Sequence, residues 1–188
     1  MKQMLLAGAA CALVLSACSQ ERSPEPVDKA QDAIAAPVGQ VAATVSATTV
    51  AGYVPAAVMG DMYEIQAADI ALQRSQNADV KALAAAIKTD HTAASNAFRA
   101  LLRTAAPGET APAALDQRRQ GMLDNLRSAS AATFDATWLD QQIAAHNEAL
   151  TLQRGFSDQG SPLAAHARSV VPKIERHLQE AQRIKAAM

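Results

Sequence analysis

Residues 80–105, VKALAAAIKTDHTAASNAFRALLRTA, carry the clearest helical signature in the chain. Val80, Ala84, Ile87, His91, Ala94, Phe98, Leu101 and Ala105 recur four and three residues apart, the spacing of a packed seam between helices. One slot of that seam is a histidine. Asn77 stands before the run as a cap for its free N–H groups, and Pro107-Gly108 ends it. Upstream, a second helix is expected over residues 56–76, with Pro55 near its first turn, where a missing N–H costs nothing. Its edge of small residues, Ala67, Ala68, Ala71 and Ser75, also carries Glu64. Downstream, Pro112 introduces a shorter stretch, residues 113–128, that reads as a crossover with Leu115, Met122, Leu123 and Leu126 as its apolar contacts. A third long helix starts near Thr133, expected as its N-cap, and puts Leu139, Ile143, His146 and Leu150 on one face, flanked by Trp138 and Phe156. Gly160-Ser161-Pro162 turns into a fourth, where Leu163, Ala167, Val170, Ile174, His177, Ala181, Ile184 and Met188 repeat in the same way. Pro172 should kink that helix or break its first turns away. The pattern predicts an all-α protein, a four-helix bundle with a short extra crossover helix.

The short turns make each sequential pair antiparallel, so heights along the bundle can be compared. Glu64 and His91 fall about thirteen and fourteen residues from their shared turn, or roughly 20 Å at 1.5 Å per residue. His146 and His177 fall about fourteen and seventeen residues from theirs, a mismatch of roughly one helical turn. All four side chains are therefore expected at one level. Imidazole and carboxylate are ligands for zinc, iron, copper or nickel, and one ligand from each of four helices suits a single transition-metal ion. Such groups in an apolar seam require partners of some kind, since burial without them costs several kcal/mol. A metal, a shared proton or a purely structural hydrogen-bond network each meets that requirement. Around this layer, Asp90 is expected to be a solvated charge beside Lys88, and the weaker alternative is that it orients His91. His166 is expected to be exposed, Glu148 and Glu175 to face outward, and Met59 and Met62 to fill space.

The 17 basic and 18 acidic residues give a formal net charge of -1, and no basic block marks a nucleic-acid surface. No phosphate loop, serine elbow, Cys-x-x-Cys or His-Glu-x-x-His motif is present, so ordinary hydrolase or kinase chemistry lacks its parts. Enzymatic activity ranks below binding on that ground. Aromatic residues make up 3% of the chain, which leaves alanine and aliphatic side chains to fill the core.

At the N-terminus, Lys2 and the apolar run Met4–Leu15 have the form of an export signal and are too short to span a bilayer. Leu15-Ser16-Ala17-Cys18 resembles a bacterial lipobox, which implies a signal peptide over residues 1–17 and a lipidated Cys18. The other reading is a secretory signal cut elsewhere that leaves a free thiol. With Cys11 inside the signal, no internal disulfide can form after processing. Ser19 differs from the Asp that inner-membrane lipoproteins resemble one another in carrying, which implies the outer membrane, periplasmic side. Residues 18–54 are rich in Ser, Pro, Glu, Gln, Ala, Thr and Val with little bulk to bury, and are expected to be a flexible tether, the alternative being a brief helix or strand from the Val and Thr near residues 41–50. The helical domain is expected over residues 55–188.

Glu64-Ile65 with Ala71-Leu72, Asp90-His91-Thr92, Phe134-Asp135 with Trp138-Leu139 and His146, and Pro172 with His177-Leu178 together resemble a bacterial envelope family of unknown function. Its members are often labelled outer membrane proteins and described as ferritin-like. The resemblance covers residues 53–188, with Trp138 where the family often has Tyr, and it implies a ferritin-like fold. Ferritin-type di-iron sites use Glu-x-x-His, whereas Lys88 and Ile174 stand three residues before His91 and His177. The expectation is thus a lipid-anchored periplasmic bundle holding one metal ion at Glu64, His91, His146 and His177. The alternative is a non-catalytic envelope or stress-response module that works through protein contacts, with a structural His/Glu cluster.

Overall fold

A computed structural model describes residues 25–188, and the expected signal peptide and lipidated Cys18 lie outside them. The described residues form six helices and no strand: α1 (Glu25–Ser46), α2 (Val50–Arg74), α3 (Ala78–Ala105), α4 (Gln117–Ser128), α5 (Phe134–Ser157) and α6 (Ala164–Ala186). None of these is long and apolar enough to cross a membrane.

Local chemistry sets most boundaries. Asn77 caps α3 as expected, its side-chain oxygen accepting from the backbone N–H of Asp79 (2.9 Å) and Val80 (3.3 Å). Asp116 does the same for α4 through the N–H of Arg119. Thr49 caps α2 through Gly52, so this helix begins ahead of the expected residue 56 and contains Pro55. Thr133 precedes α5 but makes no side-chain cap there; its hydroxyl pairs with that of Ser130 instead. α6 continues through Pro172 without interruption, so the expected break does not occur.

α2 packs on α3 and α5, and α6 packs on the same two helices, which closes a ring of four. Two apolar clusters fill it. One, built around Ile87, Leu123, Leu126, Trp138, Leu139 and Ile184, occupies the end where α2 turns into α3. The other, around Tyr53, Val58, Phe98, Leu102, Phe156 and Leu163, occupies the end where α5 turns into α6. By position along each helix, Glu64, His91, His146 and His177 fall between the two clusters, where the apolar seam is interrupted.

Residues 25–46 differ most from expectation, because α1 stands where a flexible tether was expected over residues 18–54. It lies against α5 and touches α2 and α4. Ala35 and Ala43 are its buried side chains, with Ala47 buried just past its end, and Gly39 sits so close to α5 that a Cβ there would collide with the Glu148 carboxylate. Small residues bury little area each, yet they let helices approach closely and gain many dispersion contacts. A reading that looks for bulky apolar side chains misses such a face. A hydrogen-bond chain holds α1 as well: Tyr63 donates to Gln141 (2.7 Å), and Gln141 donates to Asp32 on α1 (2.7 Å), which also accepts from Asn125 on α4 (2.9 Å).

Candidate metal centre

Each residue of the central layer arrives by helical phase. Glu64 shares the small-residue edge of α2 with Ala67, Ala68 and Ala71, all fully buried, so no bulky neighbour fills the space its carboxylate occupies. His91, His146 and His177 hold seam positions of α3, α5 and α6, and all four side chains are buried, His146 to within 1%. The three imidazoles face one another, with ring centroids 5.5–5.7 Å apart. One ring nitrogen of each lies within 4.8 Å of the other two.

One nitrogen of every ring is already engaged. His91 Nδ1 is 2.8 Å from Oδ1 of Asp61, His177 Nε2 is 3.1 Å from Oδ2 of Asp90, and His146 Nδ1 is 2.9 Å from the backbone oxygen of Gln142. A carbonyl or a carboxylate only accepts, so each of these nitrogens carries the proton in the neutral ring. That leaves His91 Nε2, His146 Nε2 and His177 Nδ1 with bare lone pairs. The last two are buried and have no hydrogen-bond partner. Buried polar atoms without partners are rare, and each calls for a bound species or a function. Three imidazoles, each steadied from behind by an acceptor, are the arrangement that metal-binding histidines adopt. Around an ion at about 2.1 Å in tetrahedral geometry the nitrogens would be roughly 3.4 Å apart, so closing on a metal requires a shift of about 1 Å.

Glu64 stands apart from this triplet. Its Oε1 is 3.5 Å from His146 Nδ1, the nitrogen that already carries a proton, and it is not among the mutually close ligand atoms. Of the four expected residues, the structure thus brings three histidines together and places the Glu64 carboxyl behind one of them. Its Oε2 has no partner, nor does either side-chain atom of the fully buried Gln142. That amide lies close enough to favour the carboxylate slightly without making a hydrogen bond of standard geometry.

The electrostatics follow from burial and proximity. Burial lifts the Glu64 carboxyl to a pKa of about 7, against the opposing charge of His91. Burial and the charges of His91 and His177 hold His146 well below the ordinary imidazole value. Burial and His91 lower His177 to about 4, against the pull of Asp90. Burial also disfavours charge on His91, but Asp61, with Glu64 and Asp90 beyond it, outweighs that effect and raises its pKa.

Three expectations about neighbouring residues need correction, and one residue was missed. Asp90 is a partner of His177 and also pairs with Lys173 and Arg176, so it links the centre to the surface. Glu148 does not face outward: Arg118 grips both its oxygens at 2.8 and 2.9 Å, and Arg119 binds it as well. His166 is half-buried and stacks on Phe98 at 4.7 Å. Asp61 was not anticipated, although its place one turn before Glu64 on the same helix was the available signal. Glu175 does face outward, pairing with Arg154 at the surface.

A family model described as a domain of unknown function (DUF4142) matches residues 35–184. No curated protein and no solved structure matches the chain.

Proposed function

This chain belongs to the DUF4142 family, a domain of unknown function, and we propose that it binds one transition-metal ion through His91, His146 and His177. The observation that carries this reading is the pair of buried lone pairs, His146 Nε2 and His177 Nδ1, left unpartnered within a triplet of facing imidazoles. Zinc, copper, nickel or iron suits three imidazole donors. Glu64 is the adjacent carboxyl, a ligand only if it swings past His146 and otherwise a proton acceptor beside the centre. Elemental analysis of native protein tests the reading, with a His146→Ala/His177→Ala variant beside it. One equivalent of metal in the native protein and none in the variant is the expected result; no metal in either ends it.

The ring formed by α2, α3, α5 and α6 supports a ferritin-like four-helix bundle, with α4 as the crossover and α1 as an added outer helix. The lipobox-like sequence supports anchoring at Cys18 in the outer membrane, facing the periplasm. The outward face of α1 adds to this: Ile34, Val38, Val41 and Val45 are 52–67% exposed, and the chain has no Asp, Glu, Lys or Arg between Asp32 and Asp61. Surface helices normally turn charged residues to water, so an uncharged face that begins sixteen residues after the proposed anchoring Cys is suited to a lipid surface. A second reading, a structural His/Glu cluster in an envelope or stress-response interaction module, is favoured by the His91–Asp61 bond, which satisfies one nitrogen without any ion. Melting that is unchanged by a chelator would select that reading.

A further inference from the structure

A cavity of about 280 Å³ reaches the centre, and His91 and Glu64 form part of its wall together with Ala94, Val170 and Ile174. Three histidines leave a four-coordinate ion one position short. Glu64, 3% exposed and with an oxygen that has no partner, lines the same cavity. A purely structural site would be closed by a fourth protein ligand and packed around. We propose that the remaining coordination position takes an exogenous small Lewis base from this cavity, with Glu64 as its hydrogen-bond partner. The inference rests on the metal reading and adds the ligand.

The class of ligand follows from the wall. Its charged groups are already paired: Asp61 with His91, Asp90 with Lys173 and His177, and Glu148 with Arg118 and Arg119. No free charge is left to recognise a multiply charged molecule, so the metal and Glu64 provide the polar recognition. Cavities of about 150 Å³ accept a benzene ring, whereas drug-sized ligands use roughly 300–1,000 Å³. The occupant is therefore a small neutral or singly charged donor, such as a simple anion or a five-membered heterocycle, with its apolar edge against Ala94, Val170 and Ile174.

The test uses the full chain loaded with cobalt(II), whose visible bands report coordination, with metal content measured first. Azide and imidazole should each shift the bands saturably with one ligand per metal. Ala94→Phe, which fills the cavity one helical turn from His91, should weaken imidazole at least tenfold while leaving azide within threefold. Val170→Phe, on the facing helix, serves if the first variant melts early. Bound cobalt whose bands move with neither probe overturns the inference alone and leaves metal binding intact. Equal effects of the filling variants on both probes, or none on either, overturn the cavity route. Failure to bind cobalt at all overturns both readings.

Discussion

Asp61 and Asp90 hold two of the three rings in opposite tautomers, His91 protonated on Nδ1 and His177 on Nε2. Removing either carboxylate frees the ring to rotate and to present its N–H to the centre. Asp61→Ala and Asp90→Ala are therefore expected to lower metal affinity about 10–100-fold with the helix content unchanged, as read by competition with a chromophoric chelator. Proton linkage gives a second prediction at this scale. The pKa of His177 is about 4 when folded against an ordinary value near 6.5, so its contribution to metal-free stability is complete above pH 6.5 and is lost as pH falls toward 4. His146 acts in the same direction. Glu64 acts oppositely: its pKa is raised to about 7, so the folded state holds a proton that the unfolded chain has released between about pH 4.5 and 7, and stability falls as pH rises through that window. Glu64→Gln removes the opposing contribution. Urea unfolding of the metal-free variant should show a steeper acid loss between pH 6.5 and 4.5 than wild type, by on the order of 1–3 kcal/mol. Parallel profiles would place the Glu64 proton elsewhere.

Among the elements, α1 shows how small residues position a helix. Gly39 admits the Glu148 carboxylate, which Arg118 and Arg119 clamp from α4, so α1, α4 and α5 meet at one ion cluster. A methyl group at residue 39 must displace that carboxylate. Gly→Ala within a helix ordinarily gains about 1 kcal/mol, so the sign of the change is informative. Gly39→Ala should destabilise by about 1–2 kcal/mol, as overpacking does. Gly121→Ala on α4, where an added Cβ meets nothing within 4 Å, should stabilise by up to about 1 kcal/mol. Thermal unfolding of the two variants side by side checks both. If they shift equally, the close approach of α1 to α5 has no energetic weight. The start of α3 was readable because its cap is local, Asn77 accepting from backbone N–H groups two and three residues on, whereas Thr49 and Asp116 cap helices at places not expected and Thr133, expected as a cap, makes none. α1 was not readable, because its buried face is defined by what it lies against.

For the whole molecule, the outward stripe on α1 and the anchor proposed at Cys18 belong together. The unlipidated chain should bind phosphatidylethanolamine/phosphatidylglycerol vesicles weakly in flotation. Ile34→Ser/Val38→Ser/Val41→Ser/Val45→Ser should abolish that binding without lowering the melting temperature, since these side chains are already in water. Vesicle binding that survives the quadruple change would show that α1 is not the contact. Periodicity and residue type were enough to establish the all-helical class, α3, α5 and α6 to within a few residues, α2 apart from its first six residues, the short helix α4 between α3 and α5, and the common level of Glu64, His91, His146 and His177. Those properties depend on helical rise and phase, which each segment carries within itself. Only the tertiary structure determined that Glu64 stands behind His146 and outside the triplet, that Asp61 and Asp90 orient the rings, that Glu148 is clamped, and that α1 packs through alanine and glycine. Each of these depends on which atom of a side chain faces which neighbour on another helix, and side-chain rotation and interhelical distance are set by packing between segments far apart in the chain.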